Sequence, residues 1–122
     1  MNLSSLRVLT FLSAFLFSLP GYSTQVFCTG KVKSFWINGN GGVIVDFTWS
    51  TTSAQVMCTL VGDSNVNAQA CGKWVSVIQS AFFTNHDVVV MYNDPAYSTC
   101  AAFPSWPNSP VPAYMRLNST TN

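Results

Sequence analysis

Few side chains in this sequence could carry out a chemical reaction. The 122 residues include one histidine, His86, four acidic residues that are all aspartates, and four cysteines. Hydrolases need a nucleophile beside a base, or a pair of carboxylates, and no nucleophile-elbow sequence or acidic pair occurs here. We therefore predict a protein that is not an enzyme and that acts by binding.

The cysteines are the most reactive groups, and their number and spacing favour disulfides. They lie at Cys28, Cys58, Cys71 and Cys100, an even number without the Cys-x-x-Cys or Cys/His spacing of a metal site. We therefore expect no metal ion and no cofactor. Of the three pairings that four cysteines allow, we favour Cys58–Cys71, which closes a local loop, with Cys28–Cys100, which ties the first strand to a segment near the end of the chain.

Residues 1–23 have the pattern of a secretory signal peptide. Arg7 is their only charge, a mostly apolar run from Val8 to Leu19 follows it, and small residues surround a cleavage site after Ser23. The run is shorter than the roughly 20 apolar residues of a membrane-spanning helix. We therefore expect one secreted or periplasmic domain at residues 24–122, in an oxidising compartment where disulfides persist.

The expected mature chain has no net charge, because four basic residues balance the four aspartates. Nucleic acids and anionic membranes require clustered basic residues, so neither is an expected partner. Aromatic residues make up 14% of the whole chain and charged residues only 7%. This composition predicts either exposed apolar surface used for self-association or ligand binding, or a surface made polar by Ser, Thr and Asn.

Alternating and continuous apolar runs predict five strands. The first extends from Val26 to Ile37, and the sequence Asn38–Gly42 then favours a hairpin. The fourth, Val88–Asn93, is a continuous apolar run typical of a central, buried strand. A long proline-rich loop from Ala96 to Pro112, anchored by Cys100, precedes the last strand. The other strands are expected at residues 43–49, 54–61 and 113–117.

A change of period between the third and fourth strands predicts one helix, from Cys71 to Phe83, that packs on a sheet. Asn85 favours a helix end in the left-handed conformation, and His86 is expected to interact with the helix C-terminus. The apolar stripe consists of Cys71, Trp74, Val75, Ile78 and Phe82. With Val77 and Phe83 added, the helix is expected to be apolar nearly all round.

The four tryptophans exceed what a core of this size requires, which favours a binding function. Trp74 lies on the helix stripe and is expected in the core. Trp36, beside the predicted hairpin, and Trp106, in the proline-rich loop, are expected to be exposed. We regard both as candidate ligand-binding residues.

Three strands, a helix and two more strands form the element order of a small five-stranded OB-type barrel. This order, a disulfide near strand three, the helix at Cys71–Phe83 and the strand end Val90-Met91-Tyr92-Asn93-Asp94-Pro95 resemble the B subunits of bacterial one-A-five-B toxins. The subtilase cytotoxin B subunit is the closer pattern. The resemblance is one of element order and size over most of residues 25–117, without a long identical stretch.

The resemblance implies a bacterial source and a symmetric pentamer that binds cell-surface glycans, with an enzymatic A subunit as a further partner. Tyr92, Asn93 and Asp94 lie where those toxins place sugar contacts. An aromatic ring stacks on the apolar face of a sugar, while an amide and a carboxylate bind its hydroxyls. Helices line the central pore of such pentamers and usually present polar residues to it, unlike the apolar helix expected here.

A second function fits the same sequence, that of a small secreted or periplasmic inhibitor or immunity protein that binds one protein partner. Aromatic and polar loops on a rigid β domain serve either purpose. Oligomeric state separates the two, because a toxin B subunit forms a ring alone, whereas an inhibitor is a monomer or dimer until it meets its partner.

Overall fold

The computed structural model describes residues 25–50, 54–93 and 96–118, and the predicted signal peptide lies outside this part of the chain. The described residues are mainly β, with six strands, one α-helix and a short 3₁₀ helix at Cys100–Ala102. The strands are β1 (Val26–Gly30), β2 (Val32–Ile37), β3 (Gly42–Phe47), β4 (Gln55–Thr59), β5 (Asp87–Tyr92) and β6 (Pro112–Asn118), and the helix is α1 (Ala68–Thr84).

The strands form two antiparallel sheets. Sheet A has the order β1-β5-β6, and sheet B has the order β2-β3-β4. The strand predicted to be central, β5, does lie in the middle of sheet A, with Val88, Val90 and Tyr92 fully buried. The continuous apolar run at this position therefore marks a central strand, as expected.

The segment predicted as one strand, residues 26–37, is divided between the two sheets at Lys31. The Lys31 N–H donates to Thr48 Oγ1 at 2.9 Å, and its carbonyl accepts from the Thr48 N–H at 3.0 Å. A side chain at the preceding residue, Gly30, would collide with Thr48, so only glycine allows this close approach. The chain bends here, and β1 joins β5 while β2 joins β3.

In place of the expected five-stranded barrel, the described residues form six strands in two sheets. The reason lies at the outer edge of β4, where a barrel would close. The Trp106 N–H donates to the Ala54 carbonyl at 2.8 Å, and the Val56 N–H donates to Ser109 Oγ at 2.9 Å. Because the proline-rich loop occupies this edge, β4 has β3 as its only strand partner among the described residues.

The hairpin predicted at Asn38–Gly42 joins β2 to β3. Asn38 Oδ1 accepts from the N–H groups of Asn40 and Gly42 at 3.0 and 2.8 Å, and Gly41 has a φ of 81°. Asparagine and glycine favour this turn because one supplies a local acceptor and the other tolerates positive φ.

Helix α1 begins at the N-cap Asn67, whose side chain accepts from the Ala70 N–H at 2.8 Å. It ends at Asn85, which has the predicted left-handed conformation with a φ of 57°. The His86 N–H donates to the Ala81 carbonyl at 3.2 Å, so His86 does interact with the helix C-terminus, through its backbone.

The predicted stripe of α1 faces the protein only in part. Ile78 is fully buried and Trp74 packs half-buried against the core, but Phe82 is exposed and contacts Phe35 edge to face, with ring centroids 5.5 Å apart. The expectation of a helix that is apolar nearly all round is wrong, because its exposed side is largely polar. That side carries Gln69, Lys73, Ser76 and Ser80, with Phe83 at its end.

Two disulfides connect the layers, with the pairings that the sequence favours. Cys28–Cys100 joins β1 to the 3₁₀ helix, and Cys58–Cys71 joins β4 to α1, with Cα atoms 5.7 and 5.6 Å apart. Disulfides of this kind indicate folding in an oxidising compartment. Among the described residues, no helix has the length and apolarity needed to cross a membrane.

Candidate functional site

Tyr92, one of the predicted sugar contacts, lies in the core. Its ring has no exposed surface and packs edge to face on Phe103, with centroids 4.5 Å apart. Its hydroxyl donates to Gln55 Oε1 at 2.7 Å, and burial raises the pKa of the phenol well above its ordinary value. The prediction that this ring stacks on a sugar is therefore wrong.

Of the other two predicted contacts, the structure describes only Asn93. Asn93 is exposed at the end of β5, and Asp94 lies outside the described residues. Successive residues of a strand point to opposite faces, so an inward Tyr92 places Asn93 on the outer side. Asn93 alone of this group is shown at the surface.

Trp36 and Trp106 are exposed, as expected, by 45% and 50% of their surface. Trp36 belongs to β2 and Trp106 to the loop along β4, which are the two opposite edges of sheet B. Two strand spacings, about 10 Å, separate these edges. The two tryptophans therefore lie along the same sheet, but at opposite edges of it.

The outer face of sheet B forms a first candidate surface, which we call the Trp36 face. Val43, Val45 and Phe47 of β3 point into the core, so the alternate residues of β3 point outward. In the observed register Trp36 lies opposite Ile44, and Ser34 lies opposite Asp46. The Trp36 face consists of Lys33, Ser34, Trp36, Ile44, Asp46 and Val56.

A hydroxyl group and two groups of opposite charge lie in the row next to Trp36 on this face. Lys33 Nζ lies 3.1 Å from Asp46 Oδ2, with 49% and 22% of the two side chains exposed. Asp46 Oδ1 is buried and has no hydrogen-bond partner among the described residues, whereas Ser34 is exposed. The face thus combines a flat ring with a hydroxyl, an ammonium group and a carboxylate.

The outer face of sheet A forms a second candidate surface, which we call the Phe27 face. Phe27, Met91 and Tyr114 form one row across β1, β5 and β6. Phe27 is 58% exposed and Tyr114 is 41% exposed. The next row consists of Thr29, Val89 and Arg116.

Charge on the Phe27 face is not balanced. Arg116 Nη1 lies 3.5 Å from Asn118 Oδ1, a neutral amide, and neither row contains a carboxylate. The nearest aspartate along β5 is Asp87, which pairs with Lys31 at 3.2 Å. The face therefore presents one positive charge beside two aromatic rings.

The Phe27 face is not apparent from the sequence. Phe27 and Tyr114 are 87 positions apart in the chain and meet only because β5 lies between their strands. Exposed aromatics that alternate with buried neighbours, such as Phe27 between Val26 and Cys28, were the available signal.

The described residues include no group of three or more His, Cys, Asp or Glu side chains that could hold a metal ion. The His86 side chain is exposed, and its Nδ1 lies 2.7 Å from Thr84 Oγ1. No family model, no curated protein and no solved structure matches this chain. Function must therefore be argued from the two outer faces.

Proposed function

We propose that this protein is an exported, non-catalytic glycan-binding protein of the toxin B-subunit type, and that the Trp36 face binds the sugar. The observation that carries the proposal is an exposed tryptophan on one face with Ser34, Lys33 and Asp46. Sugars have apolar ring faces rimmed by hydroxyls, so they require stacking and hydrogen bonding at one place.

The Trp36 face supplies both kinds of contact. The indole ring offers a flat apolar surface, and Lys33 and Ser34 can donate hydrogen bonds to sugar oxygens. The Asp46 carboxylate, 22% exposed, can accept from a sugar hydroxyl only through Oδ2, which also bonds Lys33, because Oδ1 is buried and has no partner among the described residues. Trp36 replaces Tyr92 as the stacking residue of the proposal.

The fold supports the B-subunit comparison if β1 and β2 are counted as one bent strand. Only Lys31 separates them, and the combined segment pairs with β5 in one half and with β3 in the other. Counted in this way, the chain has five strands with the helix between the third and the fourth. This is the element order of the OB type.

A ring of five copies is the assembly that we propose. Sheet A ends at β6 and sheet B ends at β2, and among the described residues neither outward edge has a backbone hydrogen-bond partner. Pairing of β2 in one copy with β6 in the next is a head-to-tail contact, which closes into a ring when the rotation permits. The polar exposed side of α1 suits a water-filled pore.

The test of glycan binding uses the full chain, secreted with its own leader, on a glycan array and then in titrations with the best sugar. We expect Trp36→Ala to weaken binding at least tenfold, because the loss of aromatic stacking amounts to about 1.5 kcal/mol. Phe83→Ala removes an exposed aromatic from the helix instead and should leave the affinity unchanged. Failure of the wild type to bind any glycan, or equal losses in both variants, would contradict the proposal.

Light scattering on a size-exclusion column tests the assembly. A mass of five copies supports the ring. A monomer or dimer contradicts the ring and favours the alternative, an inhibitor or immunity protein with one protein partner. An Ile37→Pro variant at the edge of β2 should dissociate the ring, because proline removes a backbone donor from an edge strand.

A further inference from the structure

We propose that the Phe27 face is a second binding surface, one that docks a different protein through a segment with apolar side chains and at least one carboxylate. The proposal does not depend on glycan binding, since the two faces belong to different sheets. It identifies the kind of protein partner, whether the chain is a B subunit or an inhibitor.

The residue types of the Phe27 face are those of protein interfaces. Phenylalanine, tyrosine, methionine and arginine are enriched at the buried centres of interfaces, whereas lysine and acidic residues are depleted there. Here Phe27, Met91 and Tyr114 form one row, and Arg116 lies two residues from Tyr114 on the same strand. Tyrosine and arginine are also frequent energetic hot spots.

Strand geometry makes this face flat and continuous. Adjacent strands lie about 4.8 Å apart, so Phe27 and Tyr114 stand about 10 Å apart with Met91 between them. Val89 occupies the centre of the second row and is only 6% exposed, although its side chain points outward. Arg116 is the β6 neighbour of Val89 in this row, and an arginine stem can cover apolar surface while its charged head stays in water.

Charge complementarity determines the partner. Within the described part of the chain the guanidinium of Arg116 has an amide neighbour and no carboxylate, so a docked segment that supplies Asp or Glu gains a charge-assisted, bidentate hydrogen bond. Burial of this guanidinium under a segment without an acid would leave it unpaired, which is costly. The partner segment must therefore carry an acidic residue among its apolar ones.

A second copy of this chain does not supply that carboxylate from its described residues. Asp46 pairs with Lys33 and Asp87 pairs with Lys31. Asp63 accepts from two backbone N–H groups of its own loop, at 2.8 Å each. A two-fold contact through the Phe27 face would also bring two Arg116 side chains into one interface, where they repel.

The test uses a phage-displayed library of random peptides, selected on the immobilised full chain, followed by titration of synthesised winners. We expect winners that combine Asp or Glu with aromatic or aliphatic residues. Arg116→Gln and Tyr114→Ser should each weaken the binding of these peptides at least tenfold, and higher salt should weaken their binding further. Trp36→Ala should leave the affinity for these peptides unchanged. Melting curves identify a variant that fails to fold, and Tyr114→Phe replaces Tyr114→Ser if that variant does not fold.

Three results would overturn the proposal. The first is a set of winners that lack acidic residues or that bind Arg116→Gln as well as the wild type. The second is self-association of the wild type that Phe27→Ser abolishes, which would make the face a contact between copies. The third is competition of winners with a glycan on the Trp36 face, which would place both ligands at one site.

Discussion

The outer faces of the two sheets have similar frameworks and opposite charge balance. Each is the outward side of three antiparallel strands. At its centre lies an apolar residue that points outward but is itself buried, Ile44 in sheet B and Val89 in sheet A. On the Trp36 face Lys33 is matched by Asp46 at 3.1 Å, whereas on the Phe27 face Arg116 has only an amide at 3.5 Å.

This difference in charge balance is the basis of the two proposed binding functions. A balanced ion pair beside a tryptophan offers donors and acceptors without net charge, which suits a neutral polyhydroxylated ligand. An unbalanced guanidinium beside two aromatic rings attracts an acid and buries apolar surface, which suits a protein segment. The strands supply the framework in both cases, and the side chains on it distinguish the two proposed ligands.

The largest expected effect sharpens the comparison of the two central apolar residues. Ile44 is 1% exposed and Val89 is 6% exposed. Ile44→Ala should lower the free energy of unfolding by about 3 kcal/mol, since it deletes three buried carbons and leaves a cavity. Val89→Ala deletes two carbons on the outward side of β5, beside the exposed Arg116, and should cost about 1.5 kcal/mol. Urea denaturation measures both.

Equal losses of stability in Ile44→Ala and Val89→Ala would contradict the expectation that Ile44 is packed more tightly than Val89. Ile78→Ala is the matched control for Ile44→Ala, because Ile78 is fully buried between the helix and the core. Its loss should be at least as large as that of Ile44→Ala. A smaller loss in Ile78→Ala would mean that the packing around Ile44 contributes more to stability than the packing around Ile78 in the core.

Local signals in the sequence predicted the elements of the fold well. The Asn38–Gly42 turn and the Asn85 helix end depend on neighbouring residues alone, and the structure confirms both. The central position of β5 follows from its continuous apolar run. These features require no knowledge of which strands pair.

Features that depend on strand register could not be predicted. The run Val88–Tyr92 is apolar throughout, so the sequence alone does not distinguish an inward, buried Tyr92 from one at the surface. The break at Lys31 depends on contacts with Thr48, which only the folded chain creates. The Phe27 face likewise requires the pairing of three strands distant in sequence.

Tyr92→Phe tests whether Tyr92 belongs to the core and to neither face. Removal of the hydroxyl leaves Gln55 Oε1 without its donor, so we expect a loss of about 1 kcal/mol of stability. Glycan and peptide affinities should both stay at wild-type values. A loss of glycan affinity in a variant that melts normally would return Tyr92 to the binding site.

The same tyrosine predicts a dependence of stability on alkaline pH. Burial raises the pKa of Tyr92 in the folded state, whereas an unfolded tyrosine has a pKa of about 10. Below about pH 10 both states keep the proton, and the contribution to stability is complete. Above it the unfolded chain loses the proton first, so the free energy of unfolding falls with rising pH. Urea denaturation at several pH values should show a smaller fall in Tyr92→Phe.

The smallest expected effect concerns the charges that distinguish the faces. Lys33→Gln removes an ion pair whose lysine is half-exposed, so it should lower stability by about 0.5 kcal/mol, and less at high salt. Arg116→Gln removes a charge that has no carboxylate partner among the described residues, so stability should be unchanged within error. Thermal melting at low and high salt measures both. A clear loss in Arg116→Gln that is present at low salt and disappears at high salt would show that Arg116 already has a charged partner within the chain, and the Phe27 face would then have no unpaired charge to offer another protein.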